Sequence, residues 1–528
     1  MLIRVRTAQG QFRFEVATDI NELAKLINTE LKYDEFKLSI DPKGHQPVTH
    51  LQHGMQVYLH SDIEIVPKSI TKVQKQTLED KALEMSLMDQ KLWIEDGLVN
   101  QPKSSMCRHG DLGKCAYCAP LSPFDESYLS KNNIKHLSFH SYLKKLKADQ
   151  PEFIVHLLEE QVIKAGESTK LASTSTLSST VTLSRQKFRM VDHCEFETHD
   201  MVDKYLKAWR NTGTQRFGWL IGYYAPYDQV ALGLKAVVTS IYEPAQQGFV
   251  DGVQVYYLPG APVTTDESKH AKSEFDQLQQ LCSLLNLEII GSITTDLKDD
   301  SGKVVYKRHI NSHFLSAQEC LLAATLQNQF YYKSPFSATG KFNSRFITCI
   351  ASGNKDGGIE IEAYQVSSAC MSMQENDLIL PTFSPNYMML KPVDQKPTLQ
   401  YSYVDKYGNA VSGVADPAFP IEYMLITLSH GFPSTANTWF KSTKYFPIEN
   451  RITEPQDPST LRALFQSESL FYDLSNIHVL MFMIKMSLID DTTLKLIVKV
   501  VKSPHDDSGM ALLNSPGWQT FEMLIQEF

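Results

Sequence analysis

The chain has 528 residues, more than a single hydrophobic core serves, and its 42% hydrophobic and 21% charged residues are typical of a globular protein. Its formal net charge of -9 argues against a broad nucleic-acid surface, and eight cysteines in this length exclude a disulfide framework and favour a reducing compartment. No apolar run approaches the roughly 20 residues that cross a bilayer, and the first residues lack a secretion signal, so we expect no membrane insertion.

Residues 1–67 predict a small β-grasp domain. The segments MLIRVRT and QFRFEVA alternate polar and apolar residues around a turn at Gln9 and Gly10, which is typical of a β-hairpin. Asp19 is the expected N-cap of the amphipathic helix INELAKLINTEL, and the segments FKLSI and GMQVYLH supply further strands. The order of hairpin, helix and strands favours a ubiquitin-like fold, with a different small α+β domain as the alternative.

Residues 68–104 predict a charged linker. The segment VQKQTLEDKALEMSLMDQKLWIEDGL has a helical character but no clear apolar core of its own. We therefore expect it to act as a tether between the first domain and the rest of the chain.

Residues 105–190 contain four soft metal ligands in the segment MCRHGDLGKCAYC. Cys107, His109, Cys115 and Cys118 form a complete set of the sulfur and imidazole ligands that zinc prefers. The Cys115-x2-Cys118 pair can place two thiolates on one metal, and the glycines between the pairs let the loop fold back. A closed set of four protein ligands favours one structural zinc, and ordinary buried cysteines beside a surface histidine are the alternative.

Two further histidines and a low-complexity segment follow the predicted zinc loop. His136 and His140 stand four residues apart in a helical pattern, which would place them on one face as half of a second metal site. The next cysteine after them is Cys194, so polar packing without metal is the alternative. Between His140 and Cys194, the segment from Ser168 to Thr180 is dominated by serine and threonine, which is typical of a disordered or loosely held loop.

The remaining chain changes character once. Residues 191–415 alternate apolar strands and helices, as in FGWLIGYYAPYD and HFLSAQECLLAATL, and predict a compact α/β domain. Residues 416–528 become helical after IEYMLITLSHGFP, with amphipathic segments such as SNIHVLMFMIKMSL and WQTFEMLIQEF. We expect a multidomain α+β protein that ends in a helical domain.

Eight segments in this order resemble those of the nuclear protein localization protein 4 family. They are MCRHGDLGKCAYCAPLSPFDESYL, IKHLSFHSYLKKL, TLSRQKFRMVDH, AWRNTGTQRFGWLIGYY, LGLKAVVTSIYEP, RFITCIASG, FPIEYMLITLSHGFP and GWQTFEMLIQEF. The resemblance implies an N-terminal ubiquitin-like (UBX-like) domain, a zinc finger, a catalytically inactive MPN domain and a helical C-terminal domain. These match the boundaries drawn above.

The same resemblance implies a function. Members of the family are ubiquitin-binding cofactors that work with ubiquitin fusion degradation protein 1 on the hexameric AAA+ unfoldase called valosin-containing protein. They hold polyubiquitin, including one unfolded ubiquitin, and deliver the ubiquitinated protein for unfolding ahead of proteasomal degradation, including ER-associated degradation. The resemblance also implies that the protein is located in the cytoplasm and nucleus, including the cytosolic face of the ER and the nuclear envelope.

This chain departs from the family pattern at the second zinc finger. The family's two histidines match His136 and His140, and its remaining ligands form a C-x2-C pair before the block TLSRQ. Here that place holds Ser175-Thr176-Leu177-Ser178-Ser179, without a cysteine. We therefore expect a metal-free remnant and a single zinc ion per chain.

The MPN resemblance raises the alternative of a zinc isopeptidase that cuts ubiquitin chains. Active MPN domains hold zinc with two histidines and an aspartate, beside a glutamate that serves as general base. At the matching positions this chain has Gln215 for the glutamate, Thr294 and Asp296 for the histidines, and Glu319 for the aspartate. An amide cannot act as a general base, so we expect a binding protein and no enzyme.

Two further expectations concern nucleic acid and a groove for a ubiquitin chain. A zinc finger that binds nucleic acid would need a surface of predominantly positive charge. The basic residues near this finger, Lys103, Arg108 and Lys114, are instead mixed with the acidic residues Asp111, Asp125 and Glu126. We therefore expect no nucleic-acid partner. A groove for an extended ubiquitin chain would need large apolar anchors, for which Trp209 is the candidate, with plain core packing as the alternative.

Overall fold

The chain forms two compact units, Met1–Gln76 and Thr77–Phe528. The computed structural model describes residues 2–7, 10–16, 20–27, 37–41, 46–51, 55–60, 77–110, 113–149, 157–158, 163, 180–392, 398–404, 410–435, 437–465, 470–503 and 508–527. Helices and strands are present in both units, which confirms the predicted mixed α/β multidomain class.

The first unit is a four-stranded sheet with one helix. Its elements are β1 (Leu2–Thr7), β2 (Gly10–Glu15), α1 (Ile20–Leu26), β3 (Lys37–Ser39) and β4 (Gln56–His60). The strand order is β2-β1-β4-β3, with β1 antiparallel to β2 and parallel to β4. Apolar residues that alternate along the strands, such as Ile3, Val5 and Val57, meet Leu23 and Ile27 in the core. The predicted hairpin and helix are therefore observed, whereas Asp19 lies outside the described residues.

The second unit begins with α2 (Leu78–Ala82) and α3 (Leu87–Ile94), and these helices correct the predicted linker. Leu78 and Trp93 are buried in a cluster that includes Phe139, and Leu92 packs against the core of the following domain. Asp89 is also buried and forms an ion pair with Arg345. The prediction of a coreless tether over 68–104 is therefore wrong from residue 77 onward, because its apolar partners lie far along the chain.

The zinc-finger region combines short elements around the same cluster. They are α4 (Glu126–Lys131), β5 (Leu137–Ser138), α5 (Phe139–Asp149) and β7 (Phe188–Arg189). Strand β6 (Thr180–Leu183) belongs to a different cluster and pairs in parallel with β22 (Thr398–Val404). An antiparallel bridge joins Val99 to Leu121 through two backbone hydrogen bonds of 2.9 Å. This bridge closes the loop that carries the four predicted ligands. The predicted serine- and threonine-rich loop lies outside the described residues up to Thr180.

The next part of the chain is built on a closed barrel of the strands β10-β8-β25-β19-β18-β13-β9. In chain order its elements are β8 (His193–Phe196), α6 (His199–Thr212), β9 (Phe217–Tyr227), β10 (Gly233–Tyr242), β11 (Gln246–Gly248), β12 (Val253–Val255), α7 (Asp266–Leu285), β13 (Glu288–Asp296), β14 (Asp299–Asp300), β15 (Lys303–Val304), α8 (Ala317–Gln329), β16 (Tyr331–Lys333), β17 (Lys341–Ser344), β18 (Ile347–Gly353), β19 (Ile359–Val366), α9 (Ser368–Glu375), β20 (Ile379–Pro381), β21 (Tyr387–Leu390), β22 (Thr398–Val404), β23 (Ala410–Val414), β24 (Ala418–Pro420) and β25 (Leu425–Gly431). Strands β9, β13 and β18 are buried along most of their length, on both faces of the sheet.

Strand β25 corrects the predicted boundary at residue 416. It pairs with β19 on one side and with β8 on the other, so it is a barrel strand although it follows the predicted end of the α/β domain. Strand β24, which also follows that boundary, pairs with β21. The barrel domain therefore extends to Gly431.

The final helices share one core with the barrel domain. They are α10 (Pro458–Phe465), α11 (Leu470–Asp473), α12 (Ile477–Lys485), α13 (Asp491–Lys502), α14 (Ser508–Leu513) and α15 (Pro516–Glu527). Trp219 of β9 and Phe275 of α7 lie in the same apolar cluster as Leu480 and Trp518. The predicted helical segment is thus present, but it packs on the barrel without a separate core. None of the described helices is long and apolar enough to cross a membrane.

Candidate functional site

The four predicted ligands converge on one point. Cys115 Sγ lies 3.6 Å from Cys107 Sγ and 3.8 Å from Cys118 Sγ, and Cys118 Sγ lies 3.2 Å from His109 Nε2. All four ligand atoms lie within 4.8 Å of one another. Zinc–sulfur bonds of about 2.3 Å at tetrahedral angles place two sulfurs about 3.8 Å apart, so the cluster has the dimensions of a zinc site.

Local hydrogen bonds orient the four ligand side chains. The N–H groups of Cys118 and Ala119 donate to Cys115 O at 3.0 and 2.8 Å, which forms the turn of the C-x2-C pair. His109 Nδ1 lies 2.9 Å from Gly110 O, so the proton on Nδ1 is used there and Nε2 faces the sulfurs. The backbone N–H of Tyr117, together with the neighbouring ligands, lowers the pKa of Cys115 to about 7, which favours the thiolate that binds metal.

Gly113 contributes space to the site and not an unusual backbone angle. A Cβ atom at Gly113 would lie 2.9 Å from His109 Cβ and 3.0 Å from Nδ1, whereas one at Gly110 would have no atom within 4 Å. Neither glycine is among those with positive φ. The predicted conformational role is therefore wrong, and Gly113 is needed because the histidine ring passes over it.

The site suits a structural zinc ion. Cys107, Cys115 and Cys118 would supply sulfur and His109 would supply nitrogen, which fills a tetrahedral shell and leaves no position for water. Zinc held in this way supplies folding energy to the loop that carries its ligands. Among the described residues, this is the one such group of three or more histidine, cysteine and acidic residues.

The finger rests on the barrel domain through its base and exposes apolar residues near the metal site. Gly97 has φ +69°, and a Cβ atom there would lie 2.6 Å from Leu232 Cγ, so the chain passes very close to the β9–β10 turn. Tyr128 Oη accepts a hydrogen bond from Ala231 N at 3.2 Å. Met106 is 63% exposed and Tyr117 is 57% exposed. The finger is therefore held at its base and leaves these two side chains exposed.

His136 and His140 do not form a pair on one helix face. Leu137–Ser138 is a strand that pairs with Phe188–Arg189, so α5 begins after His136. His136 Nδ1 lies 2.8 Å from Gln186 O. His140 is fully buried, and its Nε2 lies 3.0 Å from Asp89 Oδ1. The predicted helical pairing is wrong because strand β5 separates the two residues. The contact of His140 with Asp89 is a close charge contact and not an aligned hydrogen bond, since both ring nitrogens of His140 are buried without a hydrogen-bond partner among the described residues.

The acidic residues at the predicted degenerate MPN positions share an arginine. Arg308 Nη1 and Nη2 donate to the Glu319 carboxylate at 2.9 and 2.7 Å, and Nε and Nη2 donate to Asp296 Oδ2 at 3.0 and 2.9 Å. Lys307 Nζ adds a contact of 2.7 Å to Asp296. Burial raises the pKa of Asp296, but the charges of Arg308 and Lys307 outweigh it and hold the pKa below its usual range. Both carboxylates are therefore neutralised by side chains of this protein.

The other two degenerate positions have structural contacts. Gln215 Nε2 donates to Val250 O at 2.8 Å and to Leu297 O at 2.7 Å, and its Oε1 accepts from Thr295 Oγ1 at 2.8 Å. Thr294 lies opposite Ile350 in the pairing of β13 with β18. Gln215 thus ties the start of β9 to the end of β13, and its amide is fully engaged.

Trp209 lies on α6 and is 8% exposed. It packs in the core cluster that also contains Tyr205 and Leu206. The indole is therefore covered by the barrel core, as the alternative of plain core packing expects. A contact of Trp209 with a bound chain stays a prediction.

Two residues important to these arrangements were missed in the sequence. Arg308 lies in a loop between β15 and α8. The sequence indicated its role only indirectly, because two acidic residues that lie close together require a cation nearby. Asp89 stands in the supposed linker, 256 residues before its partner Arg345. No local pattern reports a pairing over that distance.

Comparisons with known proteins cover almost the whole second unit. A model of the NPL4 family matches residues 216–526, and the model of that family's zinc binding region matches residues 83–213. Nuclear protein localization protein 4 of Saccharomyces cerevisiae is 37% identical over 472 residues, which cover 83% of this chain and 80% of that protein. The protein of the same name from Schizosaccharomyces pombe is 35% identical over 514 residues, with 90% and 87% covered. That from Yarrowia lipolytica is 32% identical over 569 residues, with 100% of both chains covered.

Proposed function

The chain belongs to the NPL4 family, and from that premise we propose that it is a non-catalytic adaptor. It binds polyubiquitin chains and delivers ubiquitinated proteins to a hexameric AAA+ unfoldase, the valosin-containing protein, ahead of proteasomal degradation. It acts together with ubiquitin fusion degradation protein 1, in the cytoplasm and nucleus and at the cytosolic face of the ER and nuclear envelope. Nucleic acid is not a partner.

The observation that carries the non-catalytic assignment is the arginine between Asp296 and Glu319. Hydrolysis by an active MPN domain requires an exchangeable water on zinc. Here the two carboxylates bind a guanidinium that is covalently part of the chain, with contacts between 2.7 and 3.0 Å. A guanidinium group cannot bind and activate a water molecule as zinc does, and the amide of Gln215 cannot act as the general base. The arrangement supports a barrel used as a rigid scaffold.

The zinc finger supports a docking role. A four-ligand zinc site stiffens a loop that has little apolar core of its own. Met106 and Tyr117 remain largely exposed on this stiffened loop. We propose that the finger is a rigid contact for the ATPase ring of the unfoldase.

The two units support a division of labour. Unit Met1–Gln76 is compact by itself, as a module for the N-domain of the unfoldase would be. Unit Thr77–Phe528 contains the barrel and the final helices, which we assign to ubiquitin, both folded and unfolded. Because the units belong to one chain, binding at one end raises the local concentration of the other, so the full chain holds the unfoldase more tightly than either unit.

Separate binding measurements on residues 1–76 and 77–528 test this proposal. We expect residues 1–76 to bind the purified unfoldase and to retain no ubiquitin chains, and residues 77–528 to retain ubiquitin chains. The measurement is repeated with ubiquitin fusion degradation protein 1, which we expect to increase retention. If residues 1–76 carry all of the chain binding, the assignment of roles is wrong.

A further inference from the structure

Basic side chains from two neighbouring segments cluster on the surface of the zinc-finger region. Leu137 N donates a hydrogen bond of 2.8 Å to Lys187 O, and His136 Nδ1 lies 2.8 Å from Gln186 O. These contacts hold the residues before β5 beside the residues before β7. Lys135 therefore lies close to Lys187, on the surface of a protein whose formal net charge is -9.

The segment before β7 directs its basic side chains towards solvent. Arg185 and Lys187 are exposed. The residues that alternate with them have inward contacts, because Gln186 Oε1 accepts hydrogen bonds from Ser368 N and Oγ at 2.9 and 2.8 Å, and Phe188 is buried. The inward contacts of Gln186 and Phe188 thus fix the outward direction of both cations.

Ion pairs leave most of this charge uncompensated. Arg185 Nη2 lies 3.3 Å from Glu422 Oε2, and both side chains are more than half exposed, so this pair is weak. Lys135 and Lys187 form no ion pair with any of the residues that the structure describes. We call Lys135, Arg185 and Lys187 the basic patch.

The electrostatic effect of these cations is visible at His136. Burial lowers the pKa of His136, and three neighbouring cations lower it further, namely Arg189, Lys135 and Arg185. Arg189 does not belong to the basic patch, because it is paired with the buried Asp192 at 2.7 Å. Several cations thus act on one ring, so the basic side chains of the two segments lie near one another in space.

The arrangement favours an acidic polypeptide over nucleic acid. Proteins that bind DNA commonly make about 6 to 10 phosphate contacts, whereas the patch has three cations. Proteins that bind single strands add exposed aromatic rings on which the bases stack. Here Phe188 is buried and stacks on Tyr142, with ring centroids 4.4 Å apart. Because the cations come from two neighbouring segments, they suit an elongated ligand with several negative charges.

We propose that the basic patch binds an acidic segment of a partner protein, whose aspartate and glutamate side chains face Lys135, Arg185 and Lys187. Glu422 competes with this segment for Arg185 and is displaced when the segment binds. The contact involves neither zinc nor a ubiquitin chain, so it adds to the proposed adaptor role and does not depend on it. Since the charges are exposed, binding should be rapid, weak and sensitive to salt.

The test measures the affinity of the full chain for a labelled peptide of alternating glutamate and serine, with a glutamine–serine peptide as the neutral control. The first variant combines Lys135→Gln with Lys187→Gln. The matched control combines Lys495→Gln with Lys499→Gln, which removes the same charge from two exposed lysines of α13. A third variant is Glu422→Gln. Thermal unfolding verifies that each variant is folded.

We expect the wild type and the α13 double variant to bind the acidic peptide equally well, and the patch double variant to bind it about 5- to 20-fold more weakly. Glu422→Gln should bind it about 2- to 5-fold more tightly, because Arg185 loses its competitor. A merely structural role of the two lysines would not produce that gain. Salt at about 0.5 M should remove these differences.

Three results would overturn the inference. The first is equal affinity of the two double variants for the acidic peptide. The second is unchanged or weaker binding in Glu422→Gln, which would show that Glu422 and the ligand do not share Arg185. The third is tighter binding of a single-stranded oligonucleotide of the same charge than of the acidic peptide, since that would assign the patch to nucleic acid. Each of these results leaves the adaptor proposal standing.

Discussion

Arg308 and Glu319 are joined by two parallel hydrogen bonds, of 2.9 Å from Nη1 to Oε2 and 2.7 Å from Nη2 to Oε1. The same guanidinium also binds Asp296, and it is only 3% exposed. The carboxylates that the sequence aligns with metal ligands are thus held by a cation that cannot leave and cannot polarise water. The negative charges of Asp296 and Glu319 are therefore compensated without a metal ion.

The first prediction concerns the stability that this arginine provides. Arg308→Ala leaves Asp296 and Glu319 partly buried without their main cation, so we expect a loss of about 3 kcal/mol in the free energy of unfolding. Lys307→Ala removes the second, more exposed partner of Asp296 and should cost about 1 kcal/mol or less. Urea denaturation of both variants measures the difference, and equal losses would contradict the central role of Arg308.

The pH dependence of that difference is the second prediction. The pKa of Asp296 is lowered in the folded protein, so its stabilising contribution is present above the unfolded pKa of about 4 and is lost as the pH falls through the lower folded value. In Arg308→Ala the folded pKa rises towards the unfolded value. The gap in unfolding free energy between wild type and variant should therefore narrow below about pH 4, and a gap that widens there would sink the explanation.

The third prediction concerns the number and role of metal ions. We expect one zinc per chain by elemental analysis, since Cys107, His109, Cys115 and Cys118 supply a full shell. Cys115→Ser should release the metal and unfold the finger locally while the barrel keeps its cooperative melting transition. The exposed neighbour variant Lys114→Ser should keep its zinc. Two zincs per chain, or loss of the entire transition in Cys115→Ser, would refute this account.

A pair of glycine variants tests the geometry of the site more finely. A Cβ atom at Gly113 would lie 2.9 Å from His109 Cβ and 3.0 to 3.1 Å from two atoms of its ring, so Gly113→Ala should weaken zinc affinity by about 10- to 100-fold. Gly110→Ala meets no atom within 4 Å and is the matched control. Competition with a chromophoric chelator measures both affinities. Indistinguishable values would show that the histidine ring does not depend on the space at Gly113.

The fifth prediction follows from the corrected unit boundary. Residues 77–528 should fold cooperatively, whereas residues 105–528 should be strongly destabilised, because removal of Asp89 leaves Arg345 buried without its carboxylate. Circular dichroism melts of the two fragments give the comparison. As a control within the full chain, Asp89→Asn should destabilise more than Asp96→Asn, since Asp96 is exposed. Similar melting of both fragments would restore the tether interpretation of the linker.

The metal cluster was readable from the sequence because its four ligands lie between residues 107 and 118, where spacing alone brings them together. The first hairpin was readable for the same reason, since alternation and turn are local. The barrel closure was not, because β25 reaches back to β8 and places Ser429 opposite His193. The buried pair of Asp89 and Arg345 spans 256 residues, and neither residue carries a local signal of its partner.

The two histidines show how a correct spacing led to a wrong geometry. His136 and His140 have helical spacing, but Leu137 and Ser138 pair with β7 instead of continuing the helix. Tertiary pairing thus overrode the local pattern. Asp296 and Glu319 show a different limit: their assignment to degenerate MPN positions stays a prediction, and the arginine that pairs with both lies in a loop without periodicity.

The most direct measurement of the central claim is a bridging assay with the full chain. The purified unfoldase is immobilised, and intact polyubiquitin chains are added with or without this protein, in zinc-containing and chelator-containing buffer. We predict that chains are retained on the unfoldase only when this protein is present, and that they are recovered at their original length in both buffers. Absence of bridging, or cleavage of the chains that the chelator prevents, would contradict the account of a non-catalytic adaptor.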